Sequence, residues 1–244
     1  MFFYLEPFLT KGKKYSIIKV KNLGDLMSNS FISEFNESLP EKIAKHVLEE
    51  IFTGNLNPGD RLIESNLAEK FNVSHAPVRE AMYILEKKNV VERFPRKGVR
   101  IRVMDDKEIK DYIEALIGMI QLSSKLIKHL NEEQISKLKE IYFAAQKELE
   151  NGNVRDYVLT VAHFLTVYVS YANNSVYQHM TSEILFITNI FAKTKWNLQL
   201  IKKWHKELTS SLEAIKEQDF EKVSERLTKT IWISLDGYII ENKV

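Results

Sequence analysis

Positively charged residues that could contact an anion are concentrated in residues 74–104. This stretch holds eight lysines and arginines against three glutamates, whereas the formal net charge of the 244-residue chain is only +2. Its last part, residues 93–102, carries five cations and no acid. Such clustering on a near-neutral chain indicates a surface for a polyanion such as nucleic acid. A cationic stretch alone is equally typical of a solvated surface, so the surrounding elements must decide.

Those elements follow the order helix, short helix, tight turn, helix and two-stranded ribbon. The stretch SLPEKIAKHVLEEIFTG has the capping box and terminal glycine of a helix, and SNLAEKFN predicts a shorter one. A third helix begins after Ser74, whose side chain we expect to cap it, and runs to about Asn89. Apolar alternation in VVERF and VRIRV predicts two strands joined at PRKG. Together these elements predict a winged helix-turn-helix, in which the third helix enters the major groove of DNA.

Three polar side chains of the third helix are candidates for DNA contact. His75 and Arg79 lie four residues apart, on the face opposite the apolar positions of the helix. The planar guanidinium of Arg79 suits a guanine edge or a phosphate, and Ser74 at the helix start suits a phosphate. The competing interpretation leaves Arg79 in an ion pair with Glu80 or Glu86.

The ribbon, or wing, supplies a second set of candidates. We expect Arg93, Arg96 and Lys97 to lie along the DNA backbone or in the minor groove. Gly98 serves first as a turn glycine and second as a point of close approach to DNA.

Residues 36–104 resemble the DNA-binding domain of GntR-type bacterial transcription regulators. The resemblance lies in the stretch GDRLIESNLAEKFNVSHAPVREAMYILEKKNVVERFPRKGVRI. It implies DNA contacts from Glu64, Ser65, Ser74, Arg79, Lys97 and Gly98. The family usually has arginine where this chain has His75. We therefore expect the operator preference to depart from the family norm.

The pattern is helical throughout after residue 104. Periodicity and breaks predict helices over residues 106–130, 133–151, 155–173, 175–194, 198–217 and 220–241. The chain is thus predicted to be mostly α, with a winged helix-turn-helix over residues 36–104 and an all-α bundle for effector binding and dimerisation over residues 105–244. Residues 1–35 are predicted to be an extension that is either disordered or upstream of the true start, with Met27 as an alternative first residue.

The predicted bundle resembles the FCD effector domain of the FadR-like GntR branch, in its shorter six-helix form. Many such domains hold a divalent metal through one aspartate and three histidines. The matching positions here are Leu159, His163, Leu208 and Thr230, and the usual ligand-facing arginine falls near Leu116. Because one imidazole cannot hold zinc or nickel usefully, we expect no metal cofactor. We expect instead an apolar pocket at these five residues, for a hydrophobic or amphipathic effector.

Two interpretations of the remaining bundle residues stay open. His179 and His205 lie on separate helices, where they either rebuild a metal site or are ordinary surface or hydrogen-bonded core residues. The aromatic residues of the middle helices either line the pocket or belong to the core or a dimer interface. They are Phe164, Tyr168, Tyr171, Phe186, Phe191, Trp196 and Trp204.

Other features limit the class of protein. The chain has no cysteine, and it lacks a glycine-rich phosphate loop and a GxSxG motif, so we expect no enzymatic activity. The missing cysteines and the lack of a long apolar run favour a cytoplasmic protein without a membrane span. The leading hypothesis is a homodimeric transcription regulator that binds a pseudo-palindromic operator and senses a small molecule. The alternative is an effector-independent dimeric DNA-binding protein whose helical domain is only structural.

Overall fold

Two groups of elements follow each other along the chain, and the computed structural model describes them over residues 38–191 and 196–234. The first group contains α1 (Leu39–Thr53), β1 (Arg61–Leu62), α2 (Glu64–Phe71), α3 (His75–Lys87), β2 (Val91–Phe94) and β3 (Gly98–Ile101). The second contains α4 (Asp106–Leu126), α5 (Glu132–Glu150), α6 (Val154–Ser170), α7 (Ser175–Phe191), α8 (Leu198–Lys216) and α9 (Phe220–Ile233). The predicted extension over residues 1–35, and the predicted end of the last helix at residues 235–241, lie outside the described residues.

Helix α1 is the support on which the third helix of the predicted pattern, α3, rests. Its start is fixed by the Ser38 amide, which donates to Glu41 Oε2 at 3.2 Å. Its end is fixed by Gly54, which has φ +84°, a left-handed conformation that closes many helices. Between these ends, an apolar face is buried against α3. The predicted first helix is therefore present with the predicted caps.

The sheet contains one strand more than the predicted two-stranded wing. Strands β2 and β3 form the expected antiparallel ribbon, and β1 pairs with the other edge of β3. The Gly59 amide donates to the Ile101 carbonyl at 2.9 Å, and the Ile101 amide donates to the Asp60 carbonyl at 2.8 Å. Leu62 is buried opposite Val99. The wing is thereby anchored to the chain segment between α1 and α2.

The second group forms the predicted all-α bundle. Helix α4 packs on α6, α7 and α9, while α5 packs on α6 and α8. Tyr157, Phe164 and Tyr168 of α6 are fully buried at the centre. Asparagine or aspartate side chains cap the starts of α4, α5, α6, α8 and α9 by accepting a backbone amide of the first turn. The fold class predicted from the sequence is confirmed.

One helix boundary differs clearly from the prediction. Helix α4 ends at Leu126 rather than near residue 130, because Ile127 is extended with φ −69° and ψ 118°. The following loop is held by Gln218, whose side chain accepts from the Leu130 amide at 2.9 Å and donates to the Leu130 carbonyl at 2.8 Å. This contact joins residues 88 positions apart. The helical periodicity of the sequence gives no indication of this contact.

Candidate nucleic-acid interface and bundle cavity

The exposed side of α3 presents Arg79 together with an acid from the neighbouring helix. The Arg79 side chain is 66% exposed, and its Nε donates to Glu64 Oε2 at 2.8 Å. His75 Nδ1 lies 3.8 Å from the same carboxylate oxygen. Glu64 occupies the first turn of α2, so the contact spans the two helices. Arg79 is therefore ion-paired, but with Glu64 rather than with Glu80 or Glu86.

The two serines of the predicted site are both exposed. Ser65 lies in the first turn of α2, and Ser74 occupies the N-cap position of α3. The prediction that the Ser74 side chain caps α3 is wrong, since it makes no cap hydrogen bond. Its hydroxyl therefore remains available at the start of a helix, where backbone amides and the helix dipole both favour an anion.

The tip of the wing presents two cations. Arg96 and Gly98 adopt left-handed backbone angles, φ +61° and +85°, which turn the chain between β2 and β3. Arg96 and Lys97 are exposed, and neither has an acid within 4 Å among the described residues. The tip thus carries positive charge that no neighbouring acid among the described residues neutralises.

Two other wing arginines are tied to acids. Arg93 Nε lies 3.4 Å from Glu86 Oε2, which joins β2 to the end of α3. Arg102 is only 17% exposed, with its Nε 3.2 Å from Glu92, and it is also hydrogen-bonded to Glu108 of α4. Arg93, which the sequence analysis gives as a candidate DNA contact, therefore also joins the wing to α3. Arg102 joins the wing to the bundle.

Arg61 is a cation of this surface that the sequence interpretation missed. It lies in β1 directly opposite Arg100 of β3. A Cβ atom on Gly98 would lie 3.4 Å from its guanidinium, so the arginine reaches the wing tip. Like charges opposite each other in a sheet are unfavourable unless an anion lies near them. Only the pairing of β1 with β3, which the sequence did not predict, would have brought Arg61 into the site.

A partly open cavity of about 60 Å³ lies between α4, α6, α7, α8 and α9. Of the five residues predicted to line an effector pocket, Leu116 and Thr230 line this cavity. Leu159, His163 and Leu208 do not. Helix α6 turns Val158, Val161, Ala162 and Leu165 towards the cavity, and Leu159 and His163 lie on another face of that helix. Leu208 is fully buried in the core, one turn beyond Trp204, which does line the cavity.

His163, His179 and His205 of the bundle lie in separate environments. Burial, together with the charge of Lys137, lowers the pKa of His163 to about 4. The His205 ring stacks on Tyr142 at 5.1 Å between centroids, and burial lowers its pKa as well. His179 is exposed, 3.7 Å from Glu183. No three potential metal ligands come together within residues 38–191 and 196–234. The absence of a metal cofactor stays a prediction.

The aromatic residues of the middle helices divide between cavity and core. Trp196 and Trp204 line the cavity and meet edge to face, with centroids 6.3 Å apart. Phe164 and Tyr168 are fully buried core residues. Phe186 meets Phe52 of α1 with ring centroids 6.3 Å apart, which is a direct contact between the two groups of elements. The remaining members of the set, Tyr171 and Phe191, pack in or against the core.

Comparisons with known proteins find matches to part of the chain by sequence. The family model described as bacterial regulatory proteins, gntR family, matches residues 39–101. The uncharacterized HTH-type transcriptional regulator YdhC of Bacillus subtilis is 34% identical over 103 residues, which are 42% of this chain and 46% of YdhC. The HTH-type transcriptional regulator McbR of Escherichia coli is 25% identical over 123 residues, 50% of this chain and 55% of McbR. The chain thus matches about half the length of these relatives. Their names agree with the predictions of a regulator and of no enzymatic activity.

A solved structure extends the likeness to the whole fold. The structure of E. coli McbR/YncC superposes with a TM-score of 0.70, covering 85% of this chain and 100% of that chain at 19% identity. The two proteins therefore share their architecture. None of the helices in the described part of the chain is long and apolar enough to cross a membrane.

Proposed function

We propose that this chain, which carries a GntR-family DNA-binding domain in residues 39–101, is a transcription regulator that reads DNA with α3 and the wing together. The observation that carries the proposal is the presence of an exposed recognition helix, α3, and an exposed cationic wing tip in the same group of elements. Arg79 and Ser74 belong to the first element, and Arg96 and Lys97 belong to the second. As a regulator of bacterial genes, the protein acts in the cytoplasm.

The geometry supports separate roles for the residues that contact bases and those that contact phosphates. Arg79, with its planar fork, reads a base edge in the major groove, and His75 beside it adds a contact that the usual family arginine would make differently. Ser65, Ser74 and the cations of the wing tip hold phosphates, which fixes the register of the protein on the duplex. Gly98, which has no side chain, lets the wing approach the backbone closely.

Glu64 gives the site a further property. Its carboxylate holds Arg79 in the free protein, and it would repel a phosphate brought near the same place. The resemblance implied a direct DNA contact for Glu64. Because the carboxylate pairs with Arg79, we assign Glu64 a more specific role, which is to orient the Arg79 guanidinium. A side chain held in one geometry before binding loses less conformational entropy when it forms a contact.

We further propose that the chain works as a homodimer on a pseudo-palindromic operator, with the bundle as the sensing and dimerising domain. One recognition helix and one wing cover a single half-site, and a second copy raises the affinity without any new type of contact. The cavity in the bundle, and the contact of Phe52 with Phe186, support a bundle that senses an effector and passes its state to the DNA-binding domain. The effector-independent alternative remains the competing hypothesis for the bundle.

The test of the proposed function is selection of duplex DNA from a random pool by the purified full chain, followed by fluorescence anisotropy with the selected duplex. We expect saturable binding that weakens steeply with salt, and a scrambled duplex should bind much more weakly. A chain that enriches no sequence and does not bind duplex DNA at low ionic strength would contradict the proposal.

A further inference from the structure

The guanidinium of Arg61 meets the wing tip at Gly98 with its donor edge. A Cβ atom on Gly98 would lie 3.4 Å from both Nε and Nη2 of Arg61, and 3.8 Å from Cζ. Because Cζ is the farthest of the three atoms, the group turns its Nε–Nη2 edge, and not its flat face, towards the space that the missing side chain leaves free. That edge carries two parallel N–H donors, the arrangement with which arginine binds carboxylates and phosphates in a bidentate way.

Arg61 has no anionic partner among the described residues. The residue is exposed, no described acid lies within 4 Å of its side chain, and no described residue accepts a hydrogen bond from that side chain. Arg79 and Arg93 of the same surface are instead held by Glu64 and Glu86. The charge of Arg61 and the two donors of its edge are therefore available to an anion that comes from another molecule.

Arg100 explains why Arg61 extends to the wing tip. The two arginines lie opposite each other in the sheet, where like charges repel. Arg100 Nη1 donates to the Gly59 carbonyl at 3.1 Å, which holds this side chain near the segment before β1. Glu92 lies opposite Arg100 on β2, but its Oε1 is 3.2 Å from Arg102 Nε. Arg61 and Arg100 thus extend in opposite directions along the sheet, and Arg61 is the one that reaches the tip.

We propose that Arg61 binds a phosphate of the DNA backbone, and that Gly98 gives the phosphate oxygens access to the donor edge of Arg61. A side chain on Gly98 would begin 3.4 Å from the two donor nitrogens and would narrow the space that the oxygens need. Arg96 and Lys97 precede Gly98 in the tip, so Arg61 is a third cation at this end of the wing. The inference rests on the proposed function, because it adds a contact to the same DNA surface.

The placement of Arg61 favours a phosphate over a base edge. Its donor edge faces the wing backbone at Gly98 instead of projecting beyond the tip. A base edge lies inside a groove and is reached by a side chain that projects into the groove, whereas the phosphates lie on the outside of the duplex. Arg61 therefore adds affinity that does not depend on the DNA sequence.

The first experiment locates the phosphate. Fluorescence anisotropy is measured with the full chain and a series of selected duplexes, in each of which one backbone phosphate is replaced by an uncharged methylphosphonate. For the natural chain we expect a position at which the replacement weakens binding roughly tenfold, because a charged hydrogen-bond acceptor is lost. In Arg61→Ala the replacement at that position should lose most of its effect, while replacements at other contacted positions should keep theirs.

The second experiment compares Arg61 with a matched arginine. Arg61→Ala should weaken binding to selected and scrambled duplexes by a similar factor, and the slope of log K against log salt should become shallower by about 1. Arg100→Ala removes the same charge from the opposite position of the sheet, and its slope should stay close to that of the natural chain, because Arg100 is held at Gly59. Since Arg61 is exposed and has no described partner, Arg61→Ala should unfold at the temperature of the natural chain or above it.

The role of Gly98 is tested by a double substitution. Asparagine tolerates the left-handed backbone of this position, φ +85°, but its side chain would narrow the space in front of the Arg61 donor edge. We expect Gly98→Asn to weaken DNA binding of the natural chain, and to weaken that of Arg61→Ala much less. A side chain that acted only by keeping the wing away from DNA would weaken binding by the same factor in both backgrounds.

Four outcomes would overturn the inference. They are an Arg61→Ala salt slope equal to that of the natural chain, an equal change of slope in Arg100→Ala, a methylphosphonate profile that Arg61→Ala leaves unchanged, and an effect of Gly98→Asn that is the same in both backgrounds. Failure of the proposed function would appear earlier, as a natural chain that does not bind duplex DNA. A natural chain that binds the selected duplex no more tightly than Arg61→Ala would refute only the role of Arg61.

Discussion

At the scale of single residues, the candidate DNA surface depends on which cations are free and which are paired. Arg96 and Lys97 are free at the wing tip, Arg79 is held by Glu64, and Arg93 is held by Glu86. The free cations suit non-specific attraction to phosphate, and the held guanidinium of Arg79 suits recognition of a base. The following substitutions separate these two roles.

Replacing Arg79 should reduce operator recognition. Arg79→Ala removes the planar fork from the exposed face of α3, and we expect specific binding to weaken by roughly 1–3 kcal/mol. Anisotropy titrations with the selected duplex measure the change in affinity. Lys128→Ala, which changes an exposed cation of the bundle, is the control and should bind like the natural chain. Equal affinities of the natural chain and Arg79→Ala would mean that α3 does not read DNA through Arg79.

Replacing Lys97 should act differently, because a wing-tip lysine holds phosphate and carries no base information. We expect Lys97→Ala to weaken binding by a similar factor on selected and scrambled duplexes. The slope of log K against log salt should become shallower by about 1, because one phosphate is no longer neutralised by the protein. A variant with an unchanged salt slope would place Lys97 off the DNA.

Glu64 should sharpen specificity at the expense of general affinity. Glu64→Gln removes a negative charge near the phosphates and frees Arg79, so we expect binding to scrambled duplex to tighten by roughly 0.2–1 kcal/mol. The ratio of specific to non-specific affinity should fall. Glu80→Gln is a matched control, since Glu80 is an exposed acid on the recognition helix that is not paired with Arg79. A Glu64→Gln variant with an unchanged specificity ratio would leave the orienting role unsupported.

The sequence predicted the exposed members of this surface but not how they pair. Arg79 and Lys97 follow from local patterns, because helix faces and turn residues are properties of short segments. The partner of Arg79 is 15 positions away, and Arg61 and Gly98 meet through a strand pairing. Such contacts depend on how the elements pack, and a local pattern does not contain that information.

At the scale of elements, caps and apolar periodicity were enough to locate every helix of the described chain. The failures came where a distant contact overrides local preference. Gln218 holds the loop after α4, which ends that helix early, and β1 joins the sheet through only two residues. The positions expected to line the pocket came from a family alignment of helices. Helix α6 turns Leu159 and His163 to a face other than the one lining the cavity.

His163 on α6 should make the bundle sensitive to acid. Its pKa is lowered by burial from the ordinary 6.5 to about 4. Between these values the unfolded chain binds a proton that the folded chain does not, so the free energy of unfolding falls as the pH decreases, by up to about 1.4 kcal/mol per pH unit. We expect His163→Leu to flatten this part of the profile, measured by urea unfolding from pH 7 to pH 4.

The control for this prediction is His179→Gln. His179 is exposed on α7, so its replacement controls for the loss of one histidine without the loss of a buried one. His205, whose pKa burial also lowers, should continue to contribute a decrease of stability in the same direction in both variants. A His163→Leu profile as steep as that of the natural chain would show that His163 is protonated without cost in the fold.

At the scale of the whole molecule, side-chain contacts join the two groups of elements. Arg102 joins the wing to α4, and Phe52 of α1 meets Phe186 of α7. Contacts of this kind can hold two groups of elements in a defined arrangement and still let a modest shift of one helix change it. The sequence predicts two domains, and it did not predict this coupling, because each contact joins side chains from different groups of elements.

The proposed dimer leads to a prediction about operator length. If two copies bind together, a duplex with one half-site scrambled should bind more weakly than the full operator by roughly 10²–10⁴-fold, because the second half-site then no longer adds an effectively intramolecular binding step. Five base pairs are about half of the 10–10.5 base pairs in one turn of the duplex. Inserting five base pairs between the half-sites therefore turns one half-site to the opposite face, and it should weaken binding similarly. Inserting a full turn is the control for added length. Sedimentation of the complex gives the number of chains bound, and a full operator that carries one chain with an affinity equal to that of the scrambled duplex would exclude the dimer.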